Sequence, residues 1–184
     1  MPLEAFPYKL AWEASIPTNV NFFIWSLLWK RILTIDNLNA RGMTLHNVCV
    51  LCGSSEENIN HLFLSCSASL LVWKRLTEHI PRMGTIMVWD DPKSFLLNWP
   101  KLNNRGLAEA VWCILPYAIF WVLWKVCNET IFENGSFELE KVRKRVICTI
   151  WEWLDIIGKS VDVKKGQTLA ILMLNWKNLV ADSW

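Results

Sequence analysis

The chain lacks the motifs that announce most catalysts. It has no G-x-G-x-x-G, no Walker loop, no G-x-S-x-G and no H-E-x-x-H, so dinucleotide, nucleotide-phosphate, serine-hydrolase and zincin chemistries have no recognisable start. It also lacks a charge excess. Nineteen Lys and Arg face seventeen Asp and Glu, for a net charge of +2, far from the loud basic signature of a dedicated nucleic-acid binder. The opening Met-Pro-Leu-Glu-Ala-Phe-Pro has neither a basic region nor a continuous apolar run, so secretion is not expected. The stretch nearest to a membrane span, Ala110 to Trp124, runs fifteen residues without a charge and contains Pro116. A span needs about 20 apolar residues, so these residues are expected to form a buried core helix. No internal repeat or low-complexity tract is present.

What the chain does have is apolar content, tryptophan and cysteine. Apolar residues make up 53% of 184, enough for a real core in one domain or one domain with a small appendage. Thirteen Trp predict many rings half-buried between helices, each indole N–H seeking an acceptor. Of the six Cys, three fall in Cys49-Val-Leu-Cys52-Gly53 … His61-Leu-Phe-Leu-Ser-Cys66. The pattern is C-x2-C-x8-H-x4-C. Three thiolates and an imidazole are the ligand set of a closed, four-coordinate structural zinc site with no position left for a substrate water. The competing reading is three buried cysteines and a surface histidine; the compact spacing and Gly53, placed where a metal knuckle needs positive φ, favour Zn2+. His46 and His79 are rival ligands read as surface histidines. Cys113, Cys127 and Cys148 lie in apolar helical patterns and read as small hydrophobes. Thiolate ligands fit a reducing compartment better than a disulfide framework.

The periodicity predicts a predominantly α chain with a short Cys/His zinc-knuckle insertion and little β structure. Helices are expected over 17–33, 35–41 (closed by Gly42), 68–80, 92–97 (capped by Asp91), 104–132 (kinked near Pro116), 137–157 (closed by Gly158) and 168–180. Asn47 to Leu51 reads as a short strand entering the Cys49–Cys52 turn, and His61 sits on a single helical turn. Lys141, Arg143, Lys144 and Arg145 form the one basic cluster; it is either a solvated helix face or a phosphate-binding site. Residues 1–68 carry four basic against five acidic side chains, so the knuckle itself is not a basic patch.

These residues resemble a family. Phe6-Pro7-Tyr8-Lys9, Trp12, Pro17, Asn21-Phe22-Phe23-Ile24-Trp25, Ile32 to Leu38, Arg41-Gly42, the Cys49–Cys66 motif with Glu57, and Trp73 are similar to the zinc-binding domain of plant non-LTR (LINE-type) retrotransposon reverse transcriptases. Downstream, Trp121-Val-Leu-Trp124-Lys125 … Asn128 … Phe132 and Trp151-Glu-Trp153 continue the resemblance, with Val126 and Cys127 in place of a charged pair. The resemblance implies a non-catalytic accessory domain that helps a parent polymerase hold RNA or DNA. Polymerase and RNase H motifs are absent from this chain. It also implies division into a zinc-binding domain, 6–80, and a helical extension packed on it, 81–184. The implied partners are RNA, DNA or a reverse transcriptase core, with no small-molecule substrate, and the implied location is intracellular with a nuclear stage. Two other readings stay open: a Trp-rich protein-interaction module, and a retrotransposon fragment without present function.

Overall fold

A computed structural model describes residues 6–80, 83–102, 106–157 and 164–181. Among them the architecture is all-helical, with no strand. Helices α1 (Tyr8–Ala11), α2 (Thr18–Leu28) and α3 (Ile35–Ala40) precede the knuckle. A π-helical turn, His61–Ser65, leads into α4 (Ser67–Thr77). Next come α5 (Met83–Ile86), α6 (Pro92–Leu97), α7 (Leu107–Phe132), α8 (Leu139–Trp153), α9 (Leu169–Leu174) and α10 (Trp176–Ala181).

Local chemistry sets most of these boundaries. Pro17 precedes α2 in extended geometry. The end of α3 is a Schellman turn: the Met43 and Gly42 amides donate to the Leu38 and Asn39 carbonyls, and Gly42 has φ of 95°. Asp91 caps α6 by accepting the Ser94 amide at 3.0 Å, with Pro92 in the first turn. The cap of α4 is Cys66, so the helix begins at Ser67, one residue before the expected start. The tail helix expected over 168–180 is two helices broken at Asn175, the first capped by the Thr168 hydroxyl. Gly158, the expected end of α8, lies outside the described residues; α8 itself stops at Trp153, and a turn comes after it.

The core centres on α7. Fourteen of its 26 residues are buried and they lie all round the helix, as a helix covered on every side requires. By length and composition α7 could cross a membrane, yet 72% of its most apolar window is buried inside the fold. It is therefore the helix the others pack around. Pro116 sits inside it and cannot donate to the Trp112 carbonyl one turn back. That carbonyl accepts the Trp99 indole N–H at 3.1 Å instead. The Trp112 indole in turn donates to the Pro100 carbonyl at 2.6 Å, and the two rings stack with centroids 4.4 Å apart. Phe63, Trp73, Phe95 and Phe120 meet at centroid distances of 4.9–5.9 Å. One continuous core thus runs from Ile16 through the knuckle to Trp176.

Candidate metal centre

The knuckle is built by backbone hydrogen bonds within a short loop. The Cys49 amide donates to the Ser55 carbonyl at 2.7 Å and the Gly53 amide to the Cys49 carbonyl at 2.8 Å. Gly53 takes φ of 65°, a conformation that side chains disfavour. These bonds close residues 49–55 on themselves, so Asn47–Leu51 is a turn rather than the expected strand: its amides find partners locally and no second strand lies alongside among the described residues. The Asn58 side chain opens the π-turn by accepting the His61 amide at 2.9 Å. The Cys66 amide closes it on the His61 carbonyl at 2.7 Å.

The Sγ atoms of Cys49, Cys52 and Cys66 and a ring nitrogen of His61 all lie within 4.8 Å of one another. Cys49 Sγ is 3.8 Å from Cys66 Sγ, and Cys52 Sγ is 3.4 Å from His61 Nε2. Tetrahedral zinc with ordinary bond lengths separates two thiolates by about 3.8 Å and a thiolate from an imidazole nitrogen by about 3.5 Å. The donor set and these spacings therefore fit a zinc ion. Cys49 and Cys66 are buried, whereas Cys52 and His61 are half-exposed, so the site has a core side and a solvent side.

Electrostatics point the same way. The Cys66 thiol is held well below the ordinary thiol range, first by its hydrogen bond with Cys49 and further by the Ala68 and Ser69 amides in the first turn of α4. Cys49 is pushed up by the same contact and by burial. A zinc ion between the two sulfurs would favour the thiolate form of both.

Glu57 supplies a feature that the sequence motif does not explain. It is fully buried. Its carboxylate accepts the Ile35 amide at the start of α3 at 3.0 Å and the Cys127 thiol of α7 at 3.3 Å. Its own amide donates to the Asn47 side chain at 3.0 Å. Desolvation raises its pKa, and burial raises that of Cys127 as well. Glu57 thus fastens the knuckle to α3 and to the core helix.

The other sequence candidates lie elsewhere. His46 is exposed; His79 is half-buried rather than on the surface, with burial lowering its pKa. Cys127 is buried and Cys148 half-buried, but Cys113 is exposed. Within the basic cluster on α8, Arg145 makes a bidentate pair with Glu129 at 2.6 Å. Arg143 pairs with Glu140 at 2.9 Å and Lys141 with Glu138 at 2.6 Å. Lys144 is exposed.

Known proteins share the segment that carries this geometry. Residues 3–73 match the family described as zinc-binding in reverse transcriptase. The match spans the knuckle and agrees with the resemblance carried by the sequence motifs. Over 148 residues the chain is 25% identical to an Arabidopsis thaliana protein whose name carries the words ribonuclease H protein. That alignment covers 79% of this chain and 22% of the relative, so the chain spans about a fifth of the curated relative's length. No solved structure matches.

Proposed function

We propose that Cys49, Cys52, His61 and Cys66 coordinate one structural Zn2+, and that residues 6–80 form an accessory domain of reverse-transcriptase lineage with 81–184 packed on it as a helical extension. The domain does no chemistry of its own. It helps a polymerase hold RNA or DNA, and it resides inside the cell, where its thiolates stay reduced. The observation that carries this reading is the convergence of four zinc-type donors, brought from two segments by the knuckle and the π-turn, within residues that match a zinc-binding family. Bound zinc supplies cross-linking only: four protein ligands close the coordination shell. The chain's own residues set its shape. Cys49 and Cys66 anchor it to the core, Gly53 turns the loop, and Glu57 ties it to α3 and α7.

Metal analysis of the purified full chain tests the assignment. We expect one equivalent of zinc, lost in Cys49→Ser and in Cys66→Ser. Less than about half an equivalent in the parent chain, unchanged by either substitution, would sink it.

A further inference from the structure

The outer face of α1 and α2 is lined with aromatic rings that the core does not use. Phe22, Trp25 and Trp29 recur at i, i+3 and i+7, along one side of α2. Tyr8 and Trp12 flank them from α1. These five side chains are between 39% and 66% exposed, although α2 buries Val20, Ile24 and Leu27 on its opposite side. The rings form rungs across the α1–α2 hairpin. Phe6 stacks on Trp29 at 5.0 Å with planes 10° apart and meets Tyr8 edge-on, while Trp12 meets Phe22 edge-on at 5.1 Å.

The same helices and the turns that follow them also carry cationic side chains. Lys9, Lys30, Arg31 and Arg41 are all exposed. None of the four is in an ion pair with a carboxylate of the described residues. The two acids in the same stretch are engaged locally: Asp36 accepts the Asn37 amide at 2.9 Å and Glu13 accepts the Ser15 amide at 3.2 Å. Asp91, which caps α6, lines a groove with Lys30 and also feels its charge. The negative balance of the N-terminal segment as a whole hides this patch, because Glu57 is buried and Glu56 lies on the knuckle loop. On α8 the reverse holds, where Lys141, Arg143 and Arg145 are matched by neighbouring carboxylates.

Lys30 adds an independent sign. α2 ends in a Schellman turn, with the Lys30 amide on the Leu27 carbonyl and the Arg31 amide on the Ser26 carbonyl, both at 2.8 Å. The left-handed position of that turn usually holds glycine. Here it holds Lys30, at φ of 55°. A lysine at a position where glycine is easier points to a use for its side chain beyond the fold.

We infer that the α1–α2 face is a binding platform for single-stranded nucleic acid: bases stack on Trp25, Phe22 and Trp12 while Lys30, Arg31 and Lys9 take the phosphates. Exposed rings on a segment whose exposed cations have no carboxylate partner among the described residues complement a chain that offers both anionic phosphates and π-faces. This rests on the proposed role in holding nucleic acid, and it moves the contact from the α8 cluster to the α1–α2 face.

Fluorescence anisotropy of the full, zinc-assayed chain with labelled 20-nucleotide oligo-uridine and a 20-base-pair duplex tests it, starting at about 50 mM salt. Single strands should bind more tightly than duplex. Trp25→Ala should weaken binding about tenfold. Lys144→Gln should leave it within about twofold. Lys30→Gly separates recognition from folding. It should raise Tm by about 2–4 °C by relieving the left-handed strain, yet weaken binding and make the salt slope shallower by about 0.7. The inference is overturned by zinc-loaded chain that fails to bind at low salt, by duplex bound as tightly as single strand, or by Lys144→Gln costing as much as Trp25→Ala. It is also overturned if the Trp25 variant changes only self-association on size exclusion, which would mark a protein-docking face. Single-strand binding by chain that holds no zinc would keep this inference and sink the metal assignment.

Discussion

Between Thr34 and Cys66 the chain forms one helix of six residues, a loop and one π-turn; between Leu107 and Trp153 it forms two helices of 26 and 15 residues. The second region is held by burial: Ile114, Leu115, Ile119, Phe120, Val146 and Ile150 are all excluded from water. The first has little regular backbone to propagate, and short helices do not stand alone in water. Beside the burial of Ile35, Leu38, Leu62 and Phe63, its order draws on directional contacts: four metal-type donors, the Glu57 carboxylate and the hydrogen bonds of the loop. The lesson is that one core can be reached by two routes, one requiring chemistry at a few atoms and one requiring area.

The sharpest way to break this contrast is to take the metal away. Structural zinc contributes about 10–16 kcal/mol of apparent binding free energy in finger peptides. Chelation should therefore strip hydrogen-exchange protection from the amides of Cys49, Gly53 and Cys66 while those in the middle of α7 stay slow. Uniform loss across both regions, or none in the knuckle, would contradict it. Phe120→Ala acts on the other route. It should cost about 3–5 kcal/mol and lower denaturant stability globally, with zinc stoichiometry retained under native conditions.

The third test addresses the joint between the regions. Glu57→Ala leaves the Ile35 amide without its acceptor inside the core and should cost about 2 kcal/mol. Glu57→Gln keeps an acceptor there and should recover most of that loss in denaturant melts; a Gln variant as unstable as Ala would show that the carboxylate charge matters instead. Smaller is Asp91→Ala, at about 1 kcal/mol for a lost helix cap, read as a modest shift in Tm.

The smallest expected effect comes from Arg145→Gln. Its pair with Glu129 is partly exposed and should couple by about 1 kcal/mol or less. The Arg145 guanidinium holds the Glu129 carboxyl below its ordinary value of 4.5. A carboxyl depressed in the folded state stabilises the fold above the ordinary value, and that contribution fades as pH falls through the depressed one. Unfolding free energies of parent and variant should therefore converge in acid. A difference that persists there would assign the loss to packing of the arginine stem.

The metal cluster was legible because its chemistry is written in residue types: few roles other than zinc ask for three Cys and one His within eighteen residues. The main helices were legible from the spacing of Val20, Phe23, Ile24 and Leu27 and of Val142, Val146 and Ile150. What stayed hidden depends on partners distant in sequence. Glu57 was visible only as one of the residues shared with a family, since its acceptor role involves Ile35 and Cys127, 22 and 70 positions away. The pairing of Arg145 with Glu129 requires α7 and α8 to fold back on each other. The strand expected at Asn47–Leu51 covers a short continuous apolar run, Val48 to Leu51, and such a run does not distinguish a ladder from a loop closed on its own carbonyls.

The π-turn has a consequence for how this motif tolerates change in length. The bond that closes it runs from Cys66 to His61, so its two ends are two of the four donors. The spacing of the pair and the winding of the backbone between them are therefore one quantity. Within the same turn Leu62, Phe63 and Leu64 are buried. Each residue added or removed rotates the downstream chain by about 100° in a helical turn. A single insertion or deletion there would displace a donor and, in the same stroke, swing core side chains toward water. Substitutions in this stretch are graded; changes of length are not, and the five-residue step from His61 to Cys66 is a ruler that lineages of this domain can alter only at the expense of both the ion and the core.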